Sequence, residues 1–171
     1  TNWGALANRA GAVMGPMMYM EVLVAFFLEA GFMGVVLFGM GKVRPWVHFF
    51  ATCMVAVGSI FSAFWILSAN SWMQTPAGFI TGADGRFQPV DWWAVIFNPS
   101  FPWRFVHMTL AAMLATACLV AAAGAWHLLR RPDNRGARLM FSWGLWLLLV
   151  ITPIQVLVAI CMVNTRATIS R

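Results

Sequence analysis

Charged residues are scarce in this chain. Only 9% of its 171 residues are Asp, Glu, Lys or Arg, whereas 61% are hydrophobic. Soluble domains carry roughly 25% charged residues, so the composition excludes that class of protein. Glutamate occurs at two positions alone, Glu21 and Glu29.

Cysteine is also rare, and its placement excludes a disulfide framework or a thiolate metal site. Cys53, Cys118 and Cys161 are far apart in sequence and lie in apolar segments, with no Cys-x-x-Cys motif. We therefore interpret them as small buried hydrophobic residues.

The chain is rich instead in long apolar runs. Four of them, each 24 to 28 residues long, lie at residues 17–40, 46–70, 102–129 and 139–163. About 20 helical residues cross a hydrocarbon core of roughly 30 Å. The sequence therefore predicts an all-α membrane helical bundle with four transmembrane helices.

The basic residues indicate how these helices are oriented. The net charge is +6, but the cations gather in two short segments between spans, 41–45 and 130–138. Short loops rich in Lys and Arg stay in the cytoplasm. We therefore expect these loops to be cytoplasmic, and the termini and the 71–101 loop periplasmic, in a bacterial inner membrane; Arg166 and Arg171 weakly oppose this orientation. The positive charge thus indicates the orientation of the helices and no nucleic-acid partner.

The two glutamates are the first candidates for chemistry. Both lie in the first span, where an ionisable group costs several kcal/mol and normally faces a protein interior, a cavity or a cofactor. Eight positions on a helix give about 12 Å of rise and roughly 80° of rotation. The carboxyls therefore share a sector but cannot bind one metal ion together. Either one lies near a cofactor and the other on a proton route, or both are protonated packing residues.

Among the histidines, only His107 lies near the outer end of its span. His48 and His127 lie near cytoplasmic ends, and His127 is about 30 Å from His107 along one helix. Haem iron is commonly held by His, with His or Met opposite. His107 is therefore either a haem ligand, with the second ligand outside this sequence, or a hydrogen-bonded structural residue.

Further polar residues accompany these positions. Arg104, one turn before the histidine, suits a haem propionate or a phospholipid head group. The second span carries a polar stripe of Ser59, Ser62 and Asn70. Such a stripe either joins helices or, together with Glu29, lines a proton or water path.

Six segments carry a resemblance to a known family. They are residues 1–3 (TNW), 20–29 (MEVLVAFFLE), 58–67 (GSIFSAFWIL), 69–76 (ANSWMQTP), 98–99 (NP) and 104–107 (RFVH). In order and spacing they resemble subunit I of cytochrome bd quinol oxidase, from its glutamate-bearing helix to its haem-ligating helix. The resemblance covers residues 1–155, and we expect 156–171 to be a divergent C-terminal end.

The resemblance implies cofactors and their ligands. His107 would be an axial ligand of a low-spin haem b that accepts electrons from quinol, with Arg104 and Asn70 as further cofactor-binding residues. Glu21 would be a ligand or immediate neighbour of the high-spin haem b and haem d pair, where oxygen is reduced to water.

The resemblance also implies a proton path and protein partners. Glu29, with Ser62, would belong to the path from the cytoplasm to the oxygen-reducing site. The partners would be cytochrome bd subunit II and the rest of subunit I. The segment 152–155 (TPIQ) fits the outer end of a family helix, but the Gly-Asp and quinol loop expected next are replaced by apolar sequence. We therefore expect a fragment or truncated member that is inactive alone.

Two other classes of function remain open on sequence alone. In a proton-coupled transporter, Glu21 and Glu29 would alternate protonation around a substrate. Four helices without an inverted repeat give that class little support. In a structural membrane subunit, the polar residues would only join helices.

Overall fold

The computed structural model describes the backbone of residues 2–169 and the side chains of residues 4–24 and 26–164. Most of the Thr1-Asn2-Trp3 motif and the side chains of Arg166 and Arg171 therefore lie outside the described part. In chain order the elements are α1 (Asn2–Met20), a π-helix (Glu21–Phe26), α2 (Phe27–Phe38), α3 (Pro45–Trp72), β1 (Phe79–Thr81), β2 (Phe87–Pro89), α4 (Trp92–Ile96), α5 (Phe101–Arg130) and α6 (Arg135–Ile169). The chain forms two compact units, Thr1–Pro102 and Trp103–Arg171.

Four helical stretches of the described chain are long and apolar enough to cross a membrane. They are Gly4–Phe38, Pro45–Trp72, Phe101–Arg130 and Arg135–Asn164. The prediction of an all-α bundle with four transmembrane helices is confirmed. The last three stretches begin and end within a few residues of the predicted spans.

The first span differs at its start. We predicted a span from residue 17, but the helix begins at Asn2 and Pro16 lies inside it. A proline inside a helix costs about 3 kcal/mol because it lacks an N–H. Val13 and Met17, on either side of the proline, are fully buried, and burying each such side chain contributes about 1.5–3 kcal/mol. Packing therefore outweighs the lost hydrogen bond.

The first unit has its core where α1, α3 and the β-hairpin meet. Trp72, at the end of α3, is 2% exposed and packs edge-on against Phe79 and Phe87, one from each strand. The two strands pair antiparallel, with Phe79 opposite Pro89. Asp91 caps α4 by accepting a hydrogen bond from the Trp93 backbone N–H at 2.9 Å. The segment predicted as a long loop is thus partly ordered into a hairpin and a short helix.

The second unit is a pair of long helices that approach each other closely at glycine. A Cβ on Gly124 would lie 2.7 Å from the backbone nitrogen of Phe141, and one on Gly144 would lie 2.8 Å from the Cβ of Ala121. Neither position has room for a side chain. Close backbone approach at small residues is the usual way in which membrane helices pack.

The cysteines differ from their interpretation as buried residues. Cys118 and Cys161 are exposed, and Cys53 is partly buried. The interpretation was wrong because a small apolar side chain on a membrane helix faces acyl chains as readily as it faces protein.

Candidate functional site

Glu21 lies at the first position of the π-helix and is partly buried. The Ser62 hydroxyl, on the facing surface of α3, donates a hydrogen bond to Glu21 Oε1 at 3.0 Å. Glu29, on α2, accepts a shorter hydrogen bond, 2.7 Å, from the Ser59 hydroxyl. Both carboxyls therefore point from the first span towards the same face of α3.

The π-helix explains why they share that side. A regular helix would rotate Glu29 by roughly 80° from Glu21 over eight positions. A π-helical segment absorbs one extra residue, which removes about 100° and leaves the two carboxyls within roughly 20° of one line. The prediction of a common sector is therefore confirmed, with a closer alignment than an α-helix gives. Single π turns are frequent at functional sites.

Each glutamate has its own serine partner. The prediction placed Ser62 with Glu29 on one proton path and named no hydrogen bonds; in the structure Ser62 donates to Glu21 and Ser59 donates to Glu29. The reason is that α3 runs back along the first span, so the later serine meets the earlier glutamate. The pairs also differ in burial, since the Glu21 pair is partly buried and the Glu29 pair is exposed within this chain.

Asn70 is exposed near the C-terminal end of α3. The more enclosed polar group in that region is Asn98, which is fully buried. Its amide donates to the Val95 carbonyl at 3.2 Å, and its Oδ1 accepts from Thr75 at 3.1 Å and Ser100 at 3.2 Å. We predicted no role for Asn98 beyond its place in the Asn-Pro pair that carries the family resemblance, and that pair was the signal the sequence offered. Asn98 joins the C-terminal end of α3 to the segment before α5.

His107 is partly buried on α5, and its partner is Gln155 of α6. The amide nitrogen of Gln155 lies 3.1 Å from His107 Nδ1, 3.4 Å from Nε2 and 3.2 Å from the His107 backbone oxygen. Our reading of the sequence noted Gln155 only as part of a helix end, because the two residues are 48 positions apart. The oxygen of that amide, Oε1, is buried and has no hydrogen-bond partner among the described residues.

The other basic residues occupy different settings. Arg104, one turn before His107, is 9% exposed. His48 Nε2 lies 3.1 Å from the Val36 backbone oxygen, which ties α3 to the end of α2 and fits a structural role. His127 lies in the last turn of α5.

The described residues suit a site in which one histidine ligates a haem iron better than a site in which several side chains bind one metal ion. Among the described residues, no group of three or more His, Cys, Asp and Glu is close enough to hold a metal ion. A haem needs only one or two axial protein ligands, and a single histidine is the commonest. His107 has the donor chemistry and partial burial for that role, and beside it lies the buried, unsatisfied Gln155 oxygen.

A family model described as cytochrome bd terminal oxidase subunit I matches residues 1–167. The chain is 38% identical over 145 residues to cytochrome bd-II ubiquinol oxidase subunit 1 of Escherichia coli (strain K12), which is 84% of this chain and 28% of that protein. It is 36% identical over 132 residues to cytochrome bd ubiquinol oxidase subunit 1 of Bacillus subtilis (strain 168), which is 77% of this chain and 28% of that protein.

The fold has a solved counterpart. The structure of bd oxidase from Geobacillus thermodenitrificans superposes with a TM-score of 0.82 at 27% identity, over 93% of this chain and 37% of that one. The chain thus spans little more than a quarter of the length of the two relatives.

Proposed function

The chain belongs to the cytochrome bd terminal oxidase subunit I family, and we propose that it forms part of a haem-containing quinol oxidase. In this proposal the assembly oxidises quinol and reduces oxygen to water. Two quinols give four electrons and four protons per oxygen molecule, and two waters form. This chain would supply one haem ligand, one carboxyl at the oxygen-reducing site and part of a proton path. The division between a family-like region, residues 1–155, and a divergent C-terminal end, residues 156–171, remains a prediction.

One observation carries the proposal. Glu21, Glu29 and His107 all lie inside helices that are apolar enough to cross a membrane. Each is hydrogen-bonded to a neutral polar side chain on a facing helix. Ionisable groups at that depth are costly and typically serve an ion pathway, a proton relay or a bound cofactor. The arrangement supports both a cofactor ligand and a proton relay.

His107 would hold the iron of a low-spin haem b. Arg104 and Asn70 are proposed to bind the cofactor through their polar ends. When bound, the haems supply one-electron transfer from quinol and the electrons for oxygen reduction. High-spin haem b and haem d are proposed for the oxygen-reducing site beside Glu21.

Glu21 and Glu29 would hold and pass protons along the first span. Glu29 would take a proton that arrives from the cytoplasmic side, with Ser59 stabilising the carboxyl in either state. Glu21 would release a proton at the oxygen-reducing site, with the Ser62 hydroxyl as its hydrogen-bond partner. A hydroxyl can donate to a carboxylate and accept from a carboxylic acid, so each serine suits both protonation states.

The proposed setting is the bacterial inner membrane. The 41–45 and 130–138 loops would face the cytoplasm, and the termini and the 71–101 region the periplasm. The proposed protein partners are cytochrome bd subunit II and the rest of subunit I, with surrounding lipid and quinol.

The test uses the intact membrane assembly that contains this chain, purified in detergent. We expect a reduced-minus-oxidised absorption spectrum with a haem b band, and oxygen consumption driven by added quinol. A colourless assembly that consumes no oxygen would overturn the oxidase proposal. Proton-coupled movement of a solute by that colourless protein would favour a transporter.

A further inference from the structure

Gln155 contacts both the backbone and the imidazole ring of His107, although a contact to the backbone would be enough to join the two helices. The Gln155 amide nitrogen reaches the His107 backbone oxygen at 3.2 Å, which alone would join α5 to α6. The same amide also lies 3.1 Å from ring atom Nδ1. It therefore touches the imidazole itself and restricts how the ring turns.

The amide is well suited to respond to the ring's protonation pattern. A neutral imidazole carries its proton on one nitrogen, and the hydrogen bond at one nitrogen decides which of the two is free to bind metal. With its nitrogen towards Nδ1, Gln155 donates to that atom and favours the proton on Nε2. With its oxygen there, Gln155 accepts from Nδ1–H and leaves Nε2 with a free lone pair.

The structure has the first orientation, with the Gln155 nitrogen 3.1 Å from Nδ1, 3.4 Å from Nε2 and 3.2 Å from the His107 backbone oxygen. The second orientation would break the bond to the backbone oxygen, but it would give a donor to an oxygen that now lacks one. Gln155 Oε1 is buried without a hydrogen-bond partner among the described residues. Leaving a buried acceptor unsatisfied costs about 1–3 kcal/mol. A half-turn of the amide about its last torsion, which is broad and roughly two-fold, would exchange oxygen and nitrogen.

We propose that Gln155 is a positioning residue for His107: in the haem-loaded protein its Oε1 accepts a hydrogen bond from His107 Nδ1–H, fixes the ring and makes Nε2 the iron ligand. This inference rests on the proposed haem ligation by His107. Outer hydrogen bonds of this kind orient the histidine and raise its basicity. A more basic ligand stabilises the oxidised iron, so the hydrogen bond lowers the reduction potential.

The test measures the midpoint potential and the electron paramagnetic resonance g values of the low-spin haem b in the intact assembly. Gln155→Leu removes the acceptor and should raise the potential. Gln155→Glu supplies a stronger acceptor and should lower it. We expect about a tenfold change in the reduction equilibrium in each direction, which is about 59 mV for one electron; outer hydrogen-bond partners change metal affinity or activity by about tenfold or more. The g values should move in opposite directions as well.

Thr152→Val is the matched control. Its hydroxyl lies one turn earlier on α6 and donates to the Leu148 carbonyl at 2.6 Å, so the variant also removes a side-chain hydrogen bond from that helix. Potential and g values should not change. If they move as much as in Gln155→Leu, the effect is a general loosening of α6 and the inference is overturned.

The outcomes separate the inference from the proposed function. An unsubstituted assembly without haem b overturns both. Haem b that disappears in His107→Ala, with both Gln155 variants unchanged in potential and g values, overturns the inference alone. If Gln155→Leu retains no haem b, Gln155→Glu decides: a lowered potential supports the inference, and an unchanged one overturns it.

Discussion

The hydroxyl of Ser62 and the carboxyl of Glu21 meet across 41 positions of sequence, at 3.0 Å, where a π-helix interrupts the first span. Ser62 is thereby a direct partner of the glutamate that the proposal places at the oxygen-reducing site. Hydrogen bonds to charged groups contribute about 1.5–3 kcal/mol. A loss of that size corresponds to roughly tenfold or more in rate if the bond serves proton transfer.

We therefore expect Ser62→Ala to slow quinol-driven oxygen consumption by about tenfold, and Glu21→Gln to slow it more. Because the two groups act as a pair, the double variant should be no slower than Glu21→Gln alone. Ser59→Ala, which removes the partner of Glu29 instead, is the matched control. Its effect on the rate should either add to that of Glu21→Gln in the double variant or be smaller than the effect of Ser62→Ala. Fully additive effects of Ser62→Ala and Glu21→Gln would show that the pair does not act as a unit.

Burial of Asn98 predicts a stability effect. Replacing Asn98 by Leu leaves the Thr75 and Ser100 hydroxyls without their shared acceptor, and the loss should be about 1–3 kcal/mol of the free energy of unfolding. Asn8→Leu, at an exposed position of α1, should change it by less than about 0.5 kcal/mol. Thermal unfolding followed by tryptophan fluorescence measures both, and equal effects would contradict the buried network.

The glycine contacts of α6 predict opposite results at two positions of one helix. Gly144→Ala places a Cβ 2.8 Å from the Ala121 Cβ and 3.0 Å from the Ala117 oxygen, so we expect a loss of about 1–3 kcal/mol. At Gly136 the nearest atom to an added Cβ is 3.4 Å away, which is ordinary contact. Gly136→Ala should be neutral or stabilising by up to about 1 kcal/mol. The same unfolding measurement decides, and a tolerated Gly144→Ala would contradict the close packing of α5 on α6.

The proposed orientation predicts which loops are accessible from outside the cell. In a background with Cys53, Cys118 and Cys161 replaced by Ala, Asp84→Cys should react with a membrane-impermeant maleimide in cells whose outer membrane is permeabilised. Asp133→Cys, in the arginine-rich turn, should react only after the inner membrane is broken. The reverse pattern would mean that the positive charges lie outside and the orientation is inverted.

The membrane-spanning helices could be predicted from the sequence because the bilayer fixes the length and apolarity of any helix that crosses it. The start of the first helix could not, because the packing of Val13 and Met17 overrides the boundary that Pro16 normally marks. A residue such as proline indicates only a local preference for a helix end, and burial of its neighbours in the folded chain can outweigh that preference.

The candidate site divides in the same way. Glu21, Glu29 and His107 stood out because ionisable residues are rare within apolar runs. Ser59 and Ser62 stood out as a polar stripe, but the glutamate that each one meets could not be predicted, since a serine or a glutamine in a membrane helix gives no signal of what it faces. The π-helix aligns the two glutamates on one side of the first span, and Gln155 reaches His107 from 48 positions away.

His107 and His127 provide the most direct test of the central claim, because they are the same residue type on the same helix, α5. We predict that His107→Ala in the intact assembly removes the low-spin haem b band from the reduced-minus-oxidised absorption spectrum, while His127→Ala leaves that band at its full amplitude. A haem b band of unchanged position and amplitude in His107→Ala would contradict the account.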